Sequence, residues 1–260
     1  QLEPVFSLSI EDEKRVQKAS RVDFSAIDSS RFRVYEGCGN SAQMIADNAF
    51  STPPKLTDHY RSNQSLIGLC DELCGYELTV HTQHEMLTDV CPSLRSPLLL
   101  TPVQGQQVRN RGSWCNEAEV EQVVAWLFHL LSHGVTCAQV AILTPYVGQL
   151  DAIRSALHRR GVSTLDQPGL YVGEADRLPI GTVHRFQGGE RDVILYSSVV
   201  TTPRSLQFQN QRVNLINVAV SRARKHFVTI GHQSVIAQGR YTGYLVERSE
   251  CVLREEIGHG

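Results

Sequence analysis

The sequence lacks any apolar run long enough to cross a bilayer, which takes roughly 18–20 residues. It also lacks the apolar core of a secretory signal peptide, because residues 11–15 are all charged where that core would lie. These absences argue against a membrane protein and against a secreted one. The first residue is Gln1 and not methionine, so we expect the chain to be part of a longer protein.

The chain also lacks a large excess of positive or negative charge. The formal net charge is −2 and the sequence pI is near 6.6. A nucleic-acid partner would therefore need a local basic track, since the surface as a whole is not basic. Net charge alone neither supports nor excludes such a partner.

The seven cysteines are odd in number and widely spread, unlike a disulfide framework. We expect thiols in a reducing compartment, and therefore an intracellular, cytoplasmic protein with no membrane partner. Cys70 and Cys74 lie four apart, but no second pair follows at zinc-finger spacing. His129 and His133 share that spacing, yet Leu130 stands where a zinc-protease helix carries glutamate. The sequence alone therefore predicts no metal site.

The chain changes character near residue 96. Residues 1–95 are polar and helix-rich, with helices predicted at 11–19, 41–50 and 63–74. From residue 96 onward, apolar strands alternate with amphipathic helices. We therefore predict a helix-rich segment over 1–95 and an α/β domain over 96–260.

The second part has the pattern of a doubly covered sheet. Strands are predicted at 98–103, 140–143, 180–183, 193–200 and 226–231, and helices at 116–134, 149–160 and 213–223. Residues 163–179 and 201–212 are predicted as surface loops. Helices alternating with apolar strands imply a parallel sheet covered on both faces, whose ligands bind in the loops beyond the strand ends.

The segment GTVHRFQGGERDVI, residues 181–194, runs from a strand through a polar turn to a second strand. Its glycines allow backbone N–H groups to approach a phosphate closely. Glu190 offers a carboxylate to a ribose hydroxyl, and Thr182 and His184 offer neutral donors to a nucleic-acid backbone. On composition alone, an ordinary strand–loop–strand hairpin is the more common explanation.

A second segment, RVNLINVAVSRARKH over residues 212–226, places Arg222, Arg224 and Lys225 at the end of a predicted apolar helix. Cations there complement the helix dipole, so a structural role is open. Arg222 and Arg224 are two apart and would point to different sides of a helix. One of them could then reach a phosphate with its planar guanidinium.

Two shorter segments also suit ligand contacts. LTDHYRSN, residues 56–63, places Tyr60 beside Arg61, a pair that could stack on a base and touch its phosphates. LTPYVGQ, residues 143–149, turns from a strand into a helix at Pro145 and Tyr146. That position suits a ligand, although it is equally typical of an ordinary connection between a strand and a helix.

Together and in this order, these segments resemble the second RecA-like domain of superfamily 1 helicases. TVHRFQGGERDVI resembles motif V of that family, NVAVSRARKHFVTIG its motif VI, LTDHYRSNQSLIGLCDEL its Tyr-Arg motif, VAILTPYVGQL the motif of the next strand, and QLEP the tail of its motif III. The nearest branch contains the helicase of nonsense-mediated mRNA decay and its bacterial relatives. The resemblance implies a RecA-like parallel sheet of the P-loop NTPase superfamily, with helices on both faces.

The resemblance also assigns roles in ATP hydrolysis. It implies that Gln1 senses the γ-phosphate and that Tyr60 stacks near the adenine. Arg61 and Arg222 would be arginine fingers, which stabilise charge on the transferring phosphoryl group.

Further contacts follow from the same motifs. Gly189 and Glu190 would contact the phosphates and ribose, with Arg224 in a supporting role. The predicted contacts to nucleic acid are Thr182, His184, Pro145 and Tyr146. The family often has aspartate at the position of His184 and a longer side chain at that of Gly189, which are two departures from its pattern.

Two motifs of the family are absent from this chain, the G-x-x-x-x-G-K-[ST] loop and the D-E-x-x box. In the family both lie on a first motor domain that precedes the position of Gln1 and binds ATP with Mg²⁺. We therefore expect an ATP-dependent helicase on single-stranded DNA or RNA in the intact protein, and negligible hydrolysis by this chain alone. The alternative is a RecA-like module that binds nucleic acid or partners without turning over ATP.

Overall fold

The computed structural model describes residues 56–110, 112–165, 177–186, 189–211 and 213–257, together with Glu11, Lys14, Arg15, Lys18 and Ala19. The chain divides into two compact units, Gln1–Leu56 and Thr57–Gly260. In the first unit the five residues named above are helical and exposed, as predicted for residues 11–19. Gln1 and the helix predicted at 41–50 lie outside the described residues. The predicted boundary near residue 96 stays a prediction.

The second unit is built around one parallel sheet of seven strands. Its strands are β3 (Leu98–Pro102), β6 (Val140–Thr144), β7 (Thr164–Leu165), β8 (Leu178–Thr182), β9 (Arg191–Ser197), β10 (Ala223–Gly231) and β11 (Glu250–Cys251). Their order across the sheet is β11-β3-β10-β9-β6-β8-β7. A small parallel pair joins β1 (Asp58–His59) to β2 (Thr79–Val80), and an antiparallel hairpin joins β4 (Val108–Asn110) to β5 (Ser113–Cys115).

The described helices are mostly short and follow strands of the sheet. They are α1 (Gln64–Cys74), α2 (Glu117–Ser132), α3 (Val147–Arg159), α4 (Gln207–Asn210), α5 (Asn214–Val220), α6 (Gln233–Ile236), α7 (Gly243–Glu247) and α8 (Arg254–Ile257). Helix α1 begins where the Asn63 side chain accepts the N–H of Ser65, and it ends at Gly75 with a φ of 63°.

Both faces of the sheet are buried. Successive residues of a strand face opposite sides, and neighbours such as Leu98 and Leu99 are both inaccessible to solvent, as is Tyr196 beside Leu195. Leu99 and Leu195 belong to the main core, where they pack with α2 and α3 around the fully buried Trp126. This burial confirms the predicted parallel sheet with helices on both faces.

The prediction of a helix over residues 213–223 is wrong at its end. Helix α5 stops at Val220, residues 221–222 form a turn, and β10 begins at Ala223. The basic cluster therefore lies on a turn and a strand start. The helical argument about the directions of Arg222 and Arg224 therefore does not apply, because Arg222 lies on the turn and Arg224 on the strand.

Two further features differ from the sequence prediction. Part of the predicted loop at 201–212 is helical, since a 3₁₀ turn covers Pro203–Leu206 and α4 follows it directly. The β4–β5 hairpin was not predicted at all. Its strands are three residues each and half polar, too short to show an alternating pattern.

Disulfide bonds and membrane-spanning helices can also be looked for in the structure. No disulfide joins any of the cysteines that the structure describes. Within the described ranges, no helix combines the length and the apolar character that a bilayer span requires.

Candidate functional site

The predicted site residues lie at two opposite edges of the parallel sheet. Strand β8 ends at Thr182 on the carboxyl edge, whereas β9 begins at Arg191 on the amino edge. The two strands are parallel and separated by β6, so the connection over residues 183–190 passes from one edge to the other. The alternative of a simple hairpin is therefore wrong. Within this connection, Gln187 and Gly188 lie outside the described residues.

On the amino edge, arginines gather around one carboxylate. Arg61 Nε lies 2.6 Å from Glu190 Oε2, and Arg224 Nη1 lies 4.0 Å from Glu190 Oε1. The side chains of Arg61 and Glu190 are 49% and 36% exposed, so a ligand can reach both. This ion pair is open to solvent and contributes little to stability.

Arg222 lies beside this pair and is held by acceptors of its own chain. Its Nε donates to the Val218 carbonyl at 3.1 Å, its Nη1 to the Gly189 carbonyl at 3.3 Å, and its Nη2 to the Ser221 hydroxyl at 3.0 Å. Burial and the neighbouring Arg61 charge lower the pKa of Arg222, and the Glu190 carboxylate opposes that shift. The guanidinium nevertheless keeps its charge near neutral pH.

A cleft of about 550 Å³ opens at these groups and is lined by Asp58, His59, Tyr60, Arg61, His84, Glu190 and Arg224. Tyr60 is 70% exposed and stacks on His81, with ring centroids 4.8 Å apart. An exposed aromatic ring, a carboxylate and guanidinium groups in one cleft match the base, ribose and phosphates of a nucleotide. Arg222 does not line this cleft as it stands.

Asp192 was missed from the sequence, yet it anchors the basic cluster. Arg224 Nη2 lies 2.6 Å from Asp192 Oδ1, and Lys225 Nζ lies 3.6 Å from Asp192 Oδ2. The Asp192 side chain is only 9% exposed, so these pairs are better shielded than the Arg61 pair. Arg224 is therefore bound first to Asp192 and only more distantly to Glu190.

The four predicted nucleic-acid contacts come together at the carboxyl edge. Thr144 of β6 pairs in register with Thr182 of β8, so Pro145 and Tyr146 follow beside the start of the 183–190 connection. Thr182, Pro145 and Tyr146 are buried, which leaves little of their side chains for a ligand. His184 is half-buried, and burial lowers the pKa of its imidazole, so it stays neutral at pH 7.

A groove of about 1110 Å³ opens where Tyr146 lies and has a lining that sequence reasoning missed. Phe208 is 43% exposed and its ring lies 5.6 Å from that of Tyr146. The Arg109 guanidinium lies 4.6 Å from the ring centre of Trp114, on the unpredicted β4–β5 hairpin. Arg204 also lines the groove. Aromatic rings interspersed with cations are the composition of a single-strand binding track.

The buried carboxylate of Glu119 holds a segment that leads into the lining of this groove. Glu119 Oε2 accepts from the Ser197 hydroxyl at 2.7 Å and from the Val199 N–H at 2.8 Å, and Oε1 accepts from Asn116 Nδ2 at 3.1 Å. Val199 has a φ of 74°, which is strained for a β-branched residue. Glu119 thus holds the start of the segment whose next residues, 201–202, line the groove. Burial raises the pKa of Glu119 to about 7.

Comparison with known proteins shows the family of the chain. Residues 42–234 match the AAA domain family. Human RNA helicase Mov10l1 is 29% identical over 214 residues, which cover 75% of this chain and 16% of the relative. A regulator of nonsense transcripts 1 homolog of Arabidopsis thaliana is 32% identical over 151 residues, or 56% of this chain and 11% of the relative.

One solved structure is also similar, the C-terminal domain of a possible DNA helicase from Lactobacillus plantarum WCFS1. It is 19% identical with a TM-score of 0.42, and the match covers 75% of this chain and 98% of that one. A TM-score this low does not establish a shared fold. The fold is instead assigned from the strand order and the family match.

The sheet and its two edges are those of a RecA-like domain of the P-loop NTPase superfamily. The chain belongs to the AAA domain family, as a superfamily 1 helicase motor domain of the branch that contains the helicase of nonsense-mediated mRNA decay. It spans 16% and 11% of the two relatives named above.

Proposed function

We propose that this chain is the second motor domain of an ATP-driven helicase, and that it binds single-stranded nucleic acid and supplies arginines for ATP hydrolysis. The meeting of Arg61, Arg222 and Arg224 around Glu190 carries the proposal. The groove on the opposite edge, with Trp114 at its side, supports the nucleic-acid part. The proposal includes a preceding motor domain as partner and the cytoplasmic location expected from the cysteines.

In the proposed complex ATP enters with Mg²⁺, whose ligands would come from the preceding domain. On this chain, Tyr60 offers its ring to the adenine and the Gly189 backbone approaches the phosphates. Arg61 and Arg222 extend their guanidinium groups to the γ-phosphate and neutralise the charge that grows there in the transition state. The γ-phosphate sensor predicted at Gln1 lies outside the described residues and stays a prediction.

Glu190 has two uses in this scheme. Its Oε2 pairs with Arg61 Nε at 2.6 Å in the structure described here. A ribose hydroxyl would need an acceptor on the same carboxylate. The other oxygen, Oε1, could accept that hydroxyl while Oε2 stays paired with Arg61, so Glu190 would hold the ribose and a guanidinium in the same cleft.

Replacing Glu190 by glutamine in the intact protein should raise the KM for ATP by about 10-fold, with a much smaller change in kcat. A hydrogen bond to a charged acceptor contributes about 1.5–3 kcal/mol, and glutamine keeps the shape without the charge. Glu72→Gln is the matched control, because Glu72 forms an exposed pair with Arg248 outside the cleft. A fall in kcat at unchanged KM would instead show that Glu190 only positions Arg61 and does not bind the ribose.

We propose that the single strand crosses the carboxyl edge in the groove beside Trp114 and Phe208. Stacking on aromatic rings accepts every base, and arginines contact phosphates, so little sequence preference is expected. DNA and RNA both satisfy these contacts. The 183–190 connection joins this edge to Glu190, which gives the two proposed sites a direct covalent link.

Trp114→Ala and Arg109→Ala should each weaken binding of a single-stranded oligonucleotide by roughly 10-fold, since loss of one stacked base contact costs about 1–3 kcal/mol. Arg109→Ala should also flatten the salt dependence by about 0.7 in log–log slope. Fluorescence anisotropy of the intact protein measures both. Arg248→Ala, a surface arginine outside the groove, is the control. Unchanged binding by folded Trp114 and Arg109 variants would remove the groove from the proposal.

A further inference from the structure

A cysteine and two histidines from separate segments meet away from both edges of the site. Cys91 Sγ and one ring nitrogen each of His129 and His133 lie within 4.8 Å of one another. His129 and His133 stand four apart at the end of α2, whereas Cys91 belongs to the segment before β3. Cys91 is fully buried and His133 is exposed, so the cluster opens to solvent on one side.

The hydrogen bonds of His133 leave one of its nitrogens available. Its Nδ1 lies 2.8 Å from the carbonyl oxygen of His129, which can only accept, so Nδ1 carries the proton. In the neutral ring Nε2 then holds a lone pair. A backbone carbonyl on the second nitrogen is the usual partner of a metal-bound imidazole.

His129 is oriented in a similar way by the segment that carries Cys91. Its Nε2 lies 3.0 Å from the Ser93 hydroxyl and its ring also bonds to the backbone of Ile257, so a metal bound by His129 would replace one of these partners. The ring centroids of His129 and His133 are 4.4 Å apart. Both imidazoles are thus held by hydrogen bonds to neighbouring groups before any ligand binds.

We propose that Cys91, His129 and His133 form a zinc site, with water in the fourth position. One thiolate and two imidazoles are a ligand set that favours zinc over magnesium or calcium, which prefer oxygen. Tetrahedral zinc holds such atoms about 3.3–3.6 Å apart, so binding would draw the three side chains closer together. Binding releases one proton from the Cys91 thiol to solvent.

The site would fasten the segment around Cys91 to the end of α2. That segment is also hydrogen-bonded to the core, because the Leu87 N–H donates to His226 Nε2 at 3.0 Å. A metal here would therefore stabilise the connection between α1 and β3 without touching either edge of the sheet. Sequence spacing could not indicate it, because Cys91 lies far from the two histidines along the chain.

The test uses Co²⁺ as a spectroscopic substitute for zinc on the full chain, with zinc content measured on the purified protein. We expect one zinc per chain, and a near-ultraviolet thiolate-to-cobalt band that Cys91→Ser removes. Cys251→Ser and His158→Ala, both at exposed positions, should leave the band unchanged. Absence of the band in the wild-type chain, or its persistence in Cys91→Ser, would overturn the site.

Because Cys91 is buried, its variant could lose the fold and the band together. His133 is exposed, so His133→Ala should keep the fold while it removes one ligand. Zinc affinity should then drop by more than the 10- to 100-fold typical of an outer-shell partner. Zinc affinity of a folded His133→Ala chain within a factor of two of wild type would also overturn the proposal.

Discussion

Arg222→Ala in the intact protein should lower kcat for ATP hydrolysis by about 10³-fold or more, while leaving the affinity for single-stranded nucleic acid unchanged. The guanidinium stabilises charge that develops only on the transferring phosphoryl group, so its loss acts on the chemical step. Nucleic-acid affinity is spared because the groove lies at the opposite edge of the sheet from Arg222.

Two comparisons separate this role from a structural one. Arg222→Lys keeps a positive charge but loses the planar fork, so we expect a large loss of kcat here as well. A thermal melt checks the fold, because Arg222 also donates to the Val218 and Gly189 carbonyls. A folded Arg222→Ala protein with near-normal ATPase activity would contradict the assignment.

Glu119→Ala should lower the free energy of unfolding by about 3 kcal/mol or more, as measured by urea denaturation. The substitution leaves the Ser197 hydroxyl, the Val199 N–H and the Asn116 amide without their buried acceptor. It also removes the bond that holds Val199 in its strained conformation. A loss below 1 kcal/mol would mean that the segment relaxes freely.

Glu119→Gln tests the titration of the same group. The folded pKa is about 7 against an ordinary 4.5, so the folded chain binds the extra proton between these values. Stability should therefore fall as pH rises through that window, by at most about 3 kcal/mol. Glutamine removes this slope, and its oxygen can keep the bonds from Ser197 and Val199. The bond with Asn116 would reverse: the Asn116 amide turns, and its Oδ1, which has no partner among the described residues, accepts from the new amide.

Buried histidines contribute the opposite slope. Burial lowers the pKa of His226 to about 4, so its contribution to stability is lost as pH falls from about 6.5 toward that value. The informative quantity is therefore the difference between wild type and Glu119→Gln across pH 5–8. Parallel stability curves would show that Glu119 does not titrate in this range.

The sequence predicted the sheet well because buried parallel strands are written as continuous apolar runs. The strands around Ile142, Ile180 and Leu195 were located within two or three residues of their observed bounds. The end of α5 could not be predicted, since Val218–Val220 suits a helix and a buried strand equally, and sheet pairing decides where β10 starts.

The site was predictable where it lies within a motif and not where it depends on distant segments. Glu190 and Arg222 follow from local sequence, and the fold brings Arg61 to Glu190 from a far part of the chain. Trp114 and Glu119 had no local signal. Trp114 lies on a hairpin whose strands are too short to show a pattern. Glu119 has the sequence context of a surface residue in the first turn of α2, although packing buries it.

The most direct test of the central claim is ATP turnover by the intact protein with and without single-stranded DNA or RNA of matched length. We predict that turnover rises strongly on addition of at least one of the two nucleic acids. Nucleic-acid binding without any stimulated turnover would contradict the motor function and favour the module that does not hydrolyse ATP.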